Sequence, residues 1–178
     1  MPASSPVTKC GPMSDLSANE ACPGCGGRFS PRSGPVHRYM TSSPACWAAF
    51  GAVLASEYAD PRLLSVHRLS VDAYAVQHPG GGSRQAIQSV GLHLARLHVQ
   101  LEKQLSPEAA NAFMLRAGRR KSDLPKLDRP SGFSVTVAQI APIAGSVDHE
   151  PMVRRWAQSA WDDWAHAHEF VRQWAAAI

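Results

Sequence analysis

Apolar side chains recur at helical spacing along most of this chain. Between residues 84 and 104 they fall alternately three and four positions apart, which is typical of a helix with one buried face. A second stripe runs from residue 148 to residue 174 and carries four of the five tryptophans, which at this spacing we expect to pack into a core. No segment shows the strict apolar–polar alternation of a half-buried strand. The pattern therefore predicts an all-α fold.

Proline, glycine and serine mark where the helices begin and end. Ser43 and Pro44 are residue types preferred at a helix start, and the glycines of residues 80–82 interrupt the pattern. The predicted helices cover residues 44–58, 61–77, 83–104, 106–118 and 148–174. Residues 135–143 form a short apolar stretch that fits either a helix or a strand. We therefore predict a flexible tail over residues 1–19 and a single domain over residues 20–178, an irregular helical bundle.

The charge of the chain is unevenly distributed. Of its 178 residues 44% are hydrophobic, and the formal net charge is +4. Six basic residues fall between residues 116 and 129, within a segment (residues 116–131) that we interpret as a basic linker. No aromatic side chains interleave these charges, as a strand-binding groove requires, which argues against nucleic acid as a partner. No apolar stretch approaches the ~20 residues of a membrane helix and no targeting pattern is evident, so we expect a cytoplasmic protein.

The four cysteines carry the clearest chemistry. In a reducing compartment disulfides are disfavoured, and metal binding becomes the expected use of cysteine. Cys22 and Cys25 lie in a CPGCGG motif, a zinc knuckle whose two-residue spacer lets both sulfurs reach one Zn²⁺ ion. A redox role for this CxxC would require a strand–helix context that is missing here. Cys46, near the start of the helix that begins at Pro44, is the third predicted ligand, and Cys10 in the tail is left out.

Two histidines compete for the fourth position of a tetrahedral site. The helices over residues 44–58 and 61–77 are joined by a short turn, so they should pack antiparallel and bring His78 level with Cys46. His37, in the loop between the knuckle and Cys46, is the alternative, and a solvent molecule is the third possibility. Our ligand set is therefore Cys22, Cys25, Cys46 and His78.

His67 and His93 suggest a second polar site. His67 shares a helix face with His78 but lies about 16 Å from it, so that one ion cannot bind both. Across the glycine turn His67 should come within about one helical turn of His93, and Glu57 can reach the same level. Asp72 points about 140° away from His67, so it would orient a group from elsewhere. The competing interpretation is that these are core residues satisfied by hydrogen bonds.

Three ordered motifs resemble a bacterial family classed as a domain of unknown function. They are CPGCG at residues 22–26, SPACW at residues 43–47 and VHRLSVDAYAVQHPG at residues 66–80, and the similarity continues through residues 83–90. The resemblance spans roughly residues 21–176 of the chain. It implies that the knuckle and the histidine-bearing helix belong to one unit, and it names no reaction.

Two classes of function fit these features. The first is a zinc-dependent enzyme of small-molecule metabolism, with Zn²⁺ as cofactor and His67, Asp72 and His93 as catalytic residues. The second is a non-catalytic helical module held together by structural zinc, which binds a protein or nucleic acid. We take the enzyme as the working hypothesis, because the hairpin carries more polar groups than packing needs.

A homodimer through the tryptophan-rich last helix is a further expectation. The remaining histidines of the bundle read as surface or helix-end residues: His98, His149, His166 and His168.

Overall fold

Seven α-helices and one two-stranded antiparallel sheet make up the described part of the chain. The structure is a computed structural model that describes residues 19–178. The sheet pairs β1 (Glu20–Ala21) with β2 (Arg28–Phe29). The helices are α1 (Pro44–Ala59), α2 (His67–Gln77), α3 (Arg84–Leu101), α4 (Pro107–Arg119), α5 (Val137–Ile140), α6 (His149–Asp163) and α7 (His168–Ala176). The mostly helical fold is confirmed, whereas Cys10 and, apart from Asn19, the predicted tail lie outside the described residues.

Three helix starts follow directly from the local sequence. The hydroxyl oxygens of Ser43, Ser83 and Ser106 each accept the backbone N–H of the residue three positions further on, at 3.2, 3.3 and 3.3 Å. Each bond satisfies one of the N–H groups that the first turn of a helix leaves unpaired. These caps place the first turns of α1, α3 and α4 where the sequence predicts them.

Helix α2 lies at the centre of the bundle. Residues 72–78 are all buried, because α2 packs against α3 and α6 and also contacts α1. This part of α2 has no solvent face, so each polar side chain within it needs an internal partner. Gln77 meets this requirement: its Oε1 accepts Nε1–H of Trp156 at 2.9 Å, and its Nε2 donates to the carbonyl of Val135 at 2.7 Å.

Two predicted helices are divided in the structure. Residues 61–77 begin as a 3₁₀ turn, Pro61–Ser65, before α2 starts at His67. The predicted helix over residues 148–174 breaks after α6. The carbonyl of Trp161, which residue 165 would bind in a continuous helix, accepts instead the N–H of Trp164 at 3.0 Å and Nε2–H of His168 at 2.9 Å. The imidazole of His168 thus takes the place of a backbone N–H donor, and the periodicity of apolar residues does not reveal this break in the helix.

The tryptophans of the last helices pack inward, as predicted. Trp156, Trp161 and Trp164 are at most 1% exposed, and Trp174 is 8% exposed. Residues 135–143, which the sequence left open, form α5 and a 3₁₀ turn rather than a strand. Dimerisation through this part of the chain stays a prediction. Within residues 19–178 no helix combines the length and apolarity needed to cross a membrane.

The basic segment over residues 116–131 is anchored to the rest of the bundle. Its first residues complete α4, and Arg120 donates to the carbonyl of Ala177 at 2.6 Å. Arg129 donates to the carbonyl of Pro23 at 2.9 Å and to that of Gly24, so this segment crosses the cysteine knuckle. At least two of its positive charges therefore satisfy backbone carbonyls.

Glu102 ties the end of α3 to the last two helices. Its carboxylate accepts Nη2–H of Arg172 at 2.6 Å and Nε1–H of Trp161 at 3.1 Å, and it also pairs with Nδ1 of His98 at 2.9 Å. The hydrogen bond from Arg172 is the largest cause of a pKa for Glu102 that is lowered to about 2. The carboxylate is therefore ionised at neutral pH.

We expect Glu102→Gln to destabilise the protein at neutral pH and to matter less as the pH falls. Because the folded pKa lies below the ordinary value, the ionised group contributes stability above about pH 4.5, and this contribution disappears as the pH drops toward 2. Urea unfolding of both proteins between about pH 7 and pH 3 measures the difference. Glu150→Gln, which removes only an exposed pair with Arg154, is the control. If Glu102→Gln lowered the unfolding free energy by the same amount at every pH, the lowered pKa of Glu102 would be contradicted.

Candidate metal centre

Three cysteines and one histidine meet at the N-terminal end of the bundle. One potential ligand atom from each of Cys22, Cys25, Cys46 and His78 lies within 4.8 Å of every other. The four residues are at most 3% exposed. They come from the knuckle, the start of α1 and the end of α2, the grouping that the hairpin argument predicts. This Cys₃His group could hold a metal ion.

The knuckle is a tight turn that directs backbone donors at sulfur. The N–H of Cys22 binds the carbonyl of Gly27 at 2.8 Å, and the N–H of Gly26 binds the carbonyl of Cys22 at 2.9 Å. Gly26 has a φ of +76°, a conformation that glycine adopts without strain. The turn leaves the N–H of Gly27 3.4 Å from Sγ of Cys25. Such donors favour the thiolate form that metal binding requires.

The two helices supply the remaining ligands at their ends. Cys46 lies in the first turn of α1, and the cap residue Ser43 directs its N–H at Sγ of Cys22, at 3.4 Å. His78 follows the last residue of α2, and its Nδ1 donates to the carbonyl of Tyr74 at 2.6 Å. That bond leaves Nε2, 3.3 Å from Sγ of Cys46, as the nitrogen that faces the sulfurs. A backbone acceptor on the second ring nitrogen is typical of metal-binding histidines.

The three cysteine sulfurs form hydrogen bonds with one another and shift one another's pKa. Hydrogen bonding with Cys25 and Cys46 lowers the pKa of Cys22 well below its ordinary value, whereas the hydrogen bond to Cys22 raises the pKa of Cys25 to about 12. Hydrogen bonds with Cys22 and with Cys25 raise the pKa of Cys46. The hydrogen bonds between the sulfurs therefore favour the thiolate form at Cys22 and the thiol form at the other two cysteines. A bound divalent cation would favour the loss of the remaining protons, because it would offset the repulsion between the sulfurs.

His37, the alternative fourth ligand, lies outside this group. Its ring packs edge-on against Tyr39, with 4.4 Å between centroids, and 5.2 Å from that of Trp47. Its Nδ1 accepts the N–H of Tyr39 at 3.5 Å, and burial lowers the pKa of its imidazole. His37 therefore covers the start of α1, and of the two histidines it is His78 that joins the cysteines.

Gly24 provides a sharp test of how tightly the knuckle packs on α2. A Cβ at this position would lie 2.0 Å from the carbonyl oxygen of Thr41 and 2.3 Å from Cδ2 of His78. We expect Gly24→Ala to push the knuckle away from His78, lowering metal content and costing about 1–3 kcal/mol of unfolding free energy. The matched control is Gly51→Ala in α1, where a Cβ meets nothing within 4 Å. The control should stabilise the helix by about 0.5–1 kcal/mol. Equal tolerance of both changes in melting experiments would refute the packing argument.

His67 belongs to a separate network around Glu57. Its Nδ1 lies 2.8 Å from Oε2 of Glu57, and Nε2 of His149 lies 3.2 Å from Oε1 of the same carboxylate. The hydroxyl of Ser70 also donates to Oε1. The N–H of Gly145 binds Nδ1 of His149 at 3.0 Å, so that Nε2 carries the proton it gives to Glu57. Glu57, itself 0% exposed, thus joins the ends of α1, α2 and α6.

Asp72 and His93 form a third network on the other side of α2. Asp72 is fully buried, and its carboxylate accepts Nδ1–H of His93 at 2.6 Å, Nη2–H of Arg96 at 2.5 Å and Nε2–H of Gln100 at 2.9 Å. Burial alone would raise the pKa of Asp72, but the charge of Arg96 and the His93 contact together hold it below its ordinary value. His67 and His93, expected in one joint site, are therefore paired with different carboxylates. Asp72 lies apart from His67, as its position on the helix predicts.

Two of the histidines expected at the surface or at helix ends lie at helix ends but are buried. His149 is the first residue of α6 and is 0% exposed, and His98 lies in the last turn of α3 and is 3% exposed. His149 lies 92 positions from its partner Glu57, so no local pattern could have linked them. For His98, the glutamate at i+4 is a local signal that the sequence does contain, since residues four apart on a helix face each other.

The class of protein is thus a small helical bundle with a buried Cys₃His group, whose members come from the N-terminal knuckle, the start of α1 and the end of α2. The chain belongs to DUF5946, a family of unknown function, whose model matches residues 20–165. That range contains the four candidate ligands and the hydrogen-bond networks around Glu57 and Asp72, and it ends before α7. The resemblance to an uncharacterised family is confirmed. No curated protein and no solved structure matches the chain with significance.

Proposed function

We propose that Cys22, Cys25, Cys46 and His78 bind one Zn²⁺ ion with a structural role, and that the protein is a zinc-stabilised helical module. The observation that carries this proposal is the complete set of four protein ligands, all of them buried. A catalytic zinc ion keeps one position for water or substrate, whereas a structural site is closed by four side chains rich in thiolate. The geometry therefore favours the module over the zinc-dependent enzyme.

The spacing of the ligand atoms supports zinc as the ion. Zinc–sulfur bonds of about 2.3 Å in a tetrahedron place two sulfurs about 3.8 Å apart. The sulfurs of Cys25 and Cys46 are separated by 3.8 Å, and Nε2 of His78 lies 3.3 Å from Sγ of Cys46. The three thiolates with one imidazole are also a ligand set typical of structural zinc.

A structural ion would compensate for the small core of the N-terminal segment. Between residue 19 and α1 the chain forms only two strands of two residues each, and its buried hydrophobic side chains are Cys22 and Cys25. Coordination to α1 and α2 would fix this segment, because the free energy of binding to a structural site is also folding free energy. Catalysis by His67, Asp72 and His93 stays a prediction, and none of the three hydrogen-bonds to a candidate ligand.

We expect protein purified without chelator to contain about one zinc ion per chain by elemental analysis. Replacing zinc by Co²⁺ should produce the visible absorption of a tetrahedral, thiolate-rich site. Adding azide tests the role of the ion: the spectrum should stay unchanged if four side chains close the site. An azide-dependent spectrum would reveal an exchangeable position and favour the enzyme, and less than about 0.2 equivalents of metal would refute the site.

A further inference from the structure

A cavity of about 470 Å³ lies between the end of α3, helix α4 and helix α7. Its apolar surface comes from Val99, Phe113, Ala175 and Ala176. The volume falls within the range of about 300–1,000 Å³ typical of small-molecule sites. None of these three helices supplies a candidate metal ligand, so the cavity is independent of the metal centre.

His98 is the buried residue among the polar side chains that also line the cavity, which are His98, Glu102, Lys103, Arg172 and Gln173. His98 is 3% exposed, and its Nδ1 lies 2.9 Å from Oε2 of Glu102. Glu102 is held in turn by Arg172 and by Nε1–H of Trp161. The hydrogen bonds described for residues 19–178 leave Nε2 of His98 without a partner.

The neighbours of His98 decide which of its nitrogens carries the proton. The bonds from Arg172 and Trp161 keep Glu102 ionised, with its pKa near 2, so its carboxylate can only accept a hydrogen bond. Nδ1 must therefore be the donor. Burial lowers the pKa of His98, which favours the neutral ring. A neutral imidazole protonated on Nδ1 has a lone pair on Nε2, so the cavity contains a hydrogen-bond acceptor.

We propose that this cavity binds a small phenol, whose ring packs against Phe113 and whose hydroxyl donates to Nε2 of His98. An aromatic body suits the apolar lining, and aromatic pairs gain from edge-to-face or offset packing. The hydroxyl supplies the donor that Nε2 of His98 lacks among the described residues. A carboxylate ligand has no proton to give to Nε2 at neutral pH. Arg172 directs two of its nitrogens at Glu102, which leaves less of its guanidinium for such an anion.

Titration of the isotope-labelled full-length protein, as purified, with phenol, followed by two-dimensional amide NMR, tests the proposal. The signals of residues 98, 99, 113 and 175 should move together, and so should the indole signal of Trp161. Anisole is the matched probe, because its methyl group replaces the hydroxyl proton. We expect phenol to bind about fivefold more tightly than anisole, the effect of one neutral hydrogen bond. Equal affinities, or shifts scattered away from the cavity, would overturn the proposal.

Two substitutions localise the binding. Ala176→Phe should fill the cavity and abolish phenol binding, whereas Ala177→Phe, at an exposed neighbour that does not line it, should leave binding unchanged. His98→Phe removes the acceptor, so phenol and anisole should then bind equally. If His98→Phe fails to fold, the comparison of Ala176→Phe with Ala177→Phe still tests whether phenol binds in this cavity. Unchanged binding in Ala176→Phe would rule out this cavity. None of these outcomes depends on the metal proposal, which metal analysis tests separately.

Discussion

Replacing Cys46 by serine is expected to have the largest effect of any single substitution in this protein. Cys46 is fully buried, and its sulfur lies between Sγ of Cys25 and Nε2 of His78, at 3.8 and 3.3 Å. Without its thiolate the proposed zinc ion would lose one of its four ligands. The apparent binding free energy of structural zinc in small peptides is about 10–16 kcal/mol, and part of this is lost as folding free energy.

We therefore expect Cys46→Ser to lose most of its zinc and to melt at a markedly lower temperature. Both quantities should be measured on the same preparation, by elemental analysis and by circular dichroism. Cys10→Ser is the control, since Cys10 is not a predicted ligand, and it should alter neither quantity. A Cys46→Ser protein that loses its zinc yet melts normally would show that the ion does not support the fold. Full retention of zinc would remove Cys46 from the ligand set.

Asp72→Ala is expected to cause the second large loss of stability, about 3–5 kcal/mol of unfolding free energy. Most of this loss comes from the charge on Arg96 that is left without a partner, rather than from the loss of one interaction. Arg96 is 6% exposed and directs Nε and Nη2 at the Asp72 carboxylate. Removing the carboxylate leaves this guanidinium buried and unpaired, and burying an unpaired charge is costly.

Urea unfolding of the protein as purified measures this effect, and the double variant Asp72→Leu with Arg96→Met gives the comparison. Removing both charges should recover most of the stability, because a buried ion pair contributes little relative to apolar side chains of similar size. His93→Gln should cost only about 1 kcal/mol, since it removes one hydrogen bond from a carboxylate that keeps its other donors. If Asp72→Ala were nearly neutral while His93→Gln abolished an activity, the pair would serve catalysis rather than stability.

The local features of this protein could be predicted because each depends on residues close in the chain. A serine at the N-cap position starts a helix because its hydroxyl accepts the backbone N–H three residues further on, and this bond needs no distant partner. Ser43, Ser83 and Ser106 are the examples. The two-residue spacer of the knuckle brings Cys22 and Cys25 together in the same way. The approach of His78 to Cys46 could also be predicted, because helices joined by a short connection usually pack antiparallel, and the 3₁₀ turn Pro61–Ser65 that separates α1 from α2 leaves this arrangement in place.

The tertiary structure alone decided the partners of the buried polar groups and the points where helices break. The sequence places Glu57 near His67, but it carries no sign that His149, 92 positions away, completes that cluster. Likewise, His168 interrupts the last helix because its imidazole binds the carbonyl of Trp161. A buried hydrogen-bonding group takes whichever partner the packing of distant helices brings within about 3 Å. The periodicity of a sequence specifies which face of a helix is buried, whereas the partner that this face meets depends on how all the helices pack together.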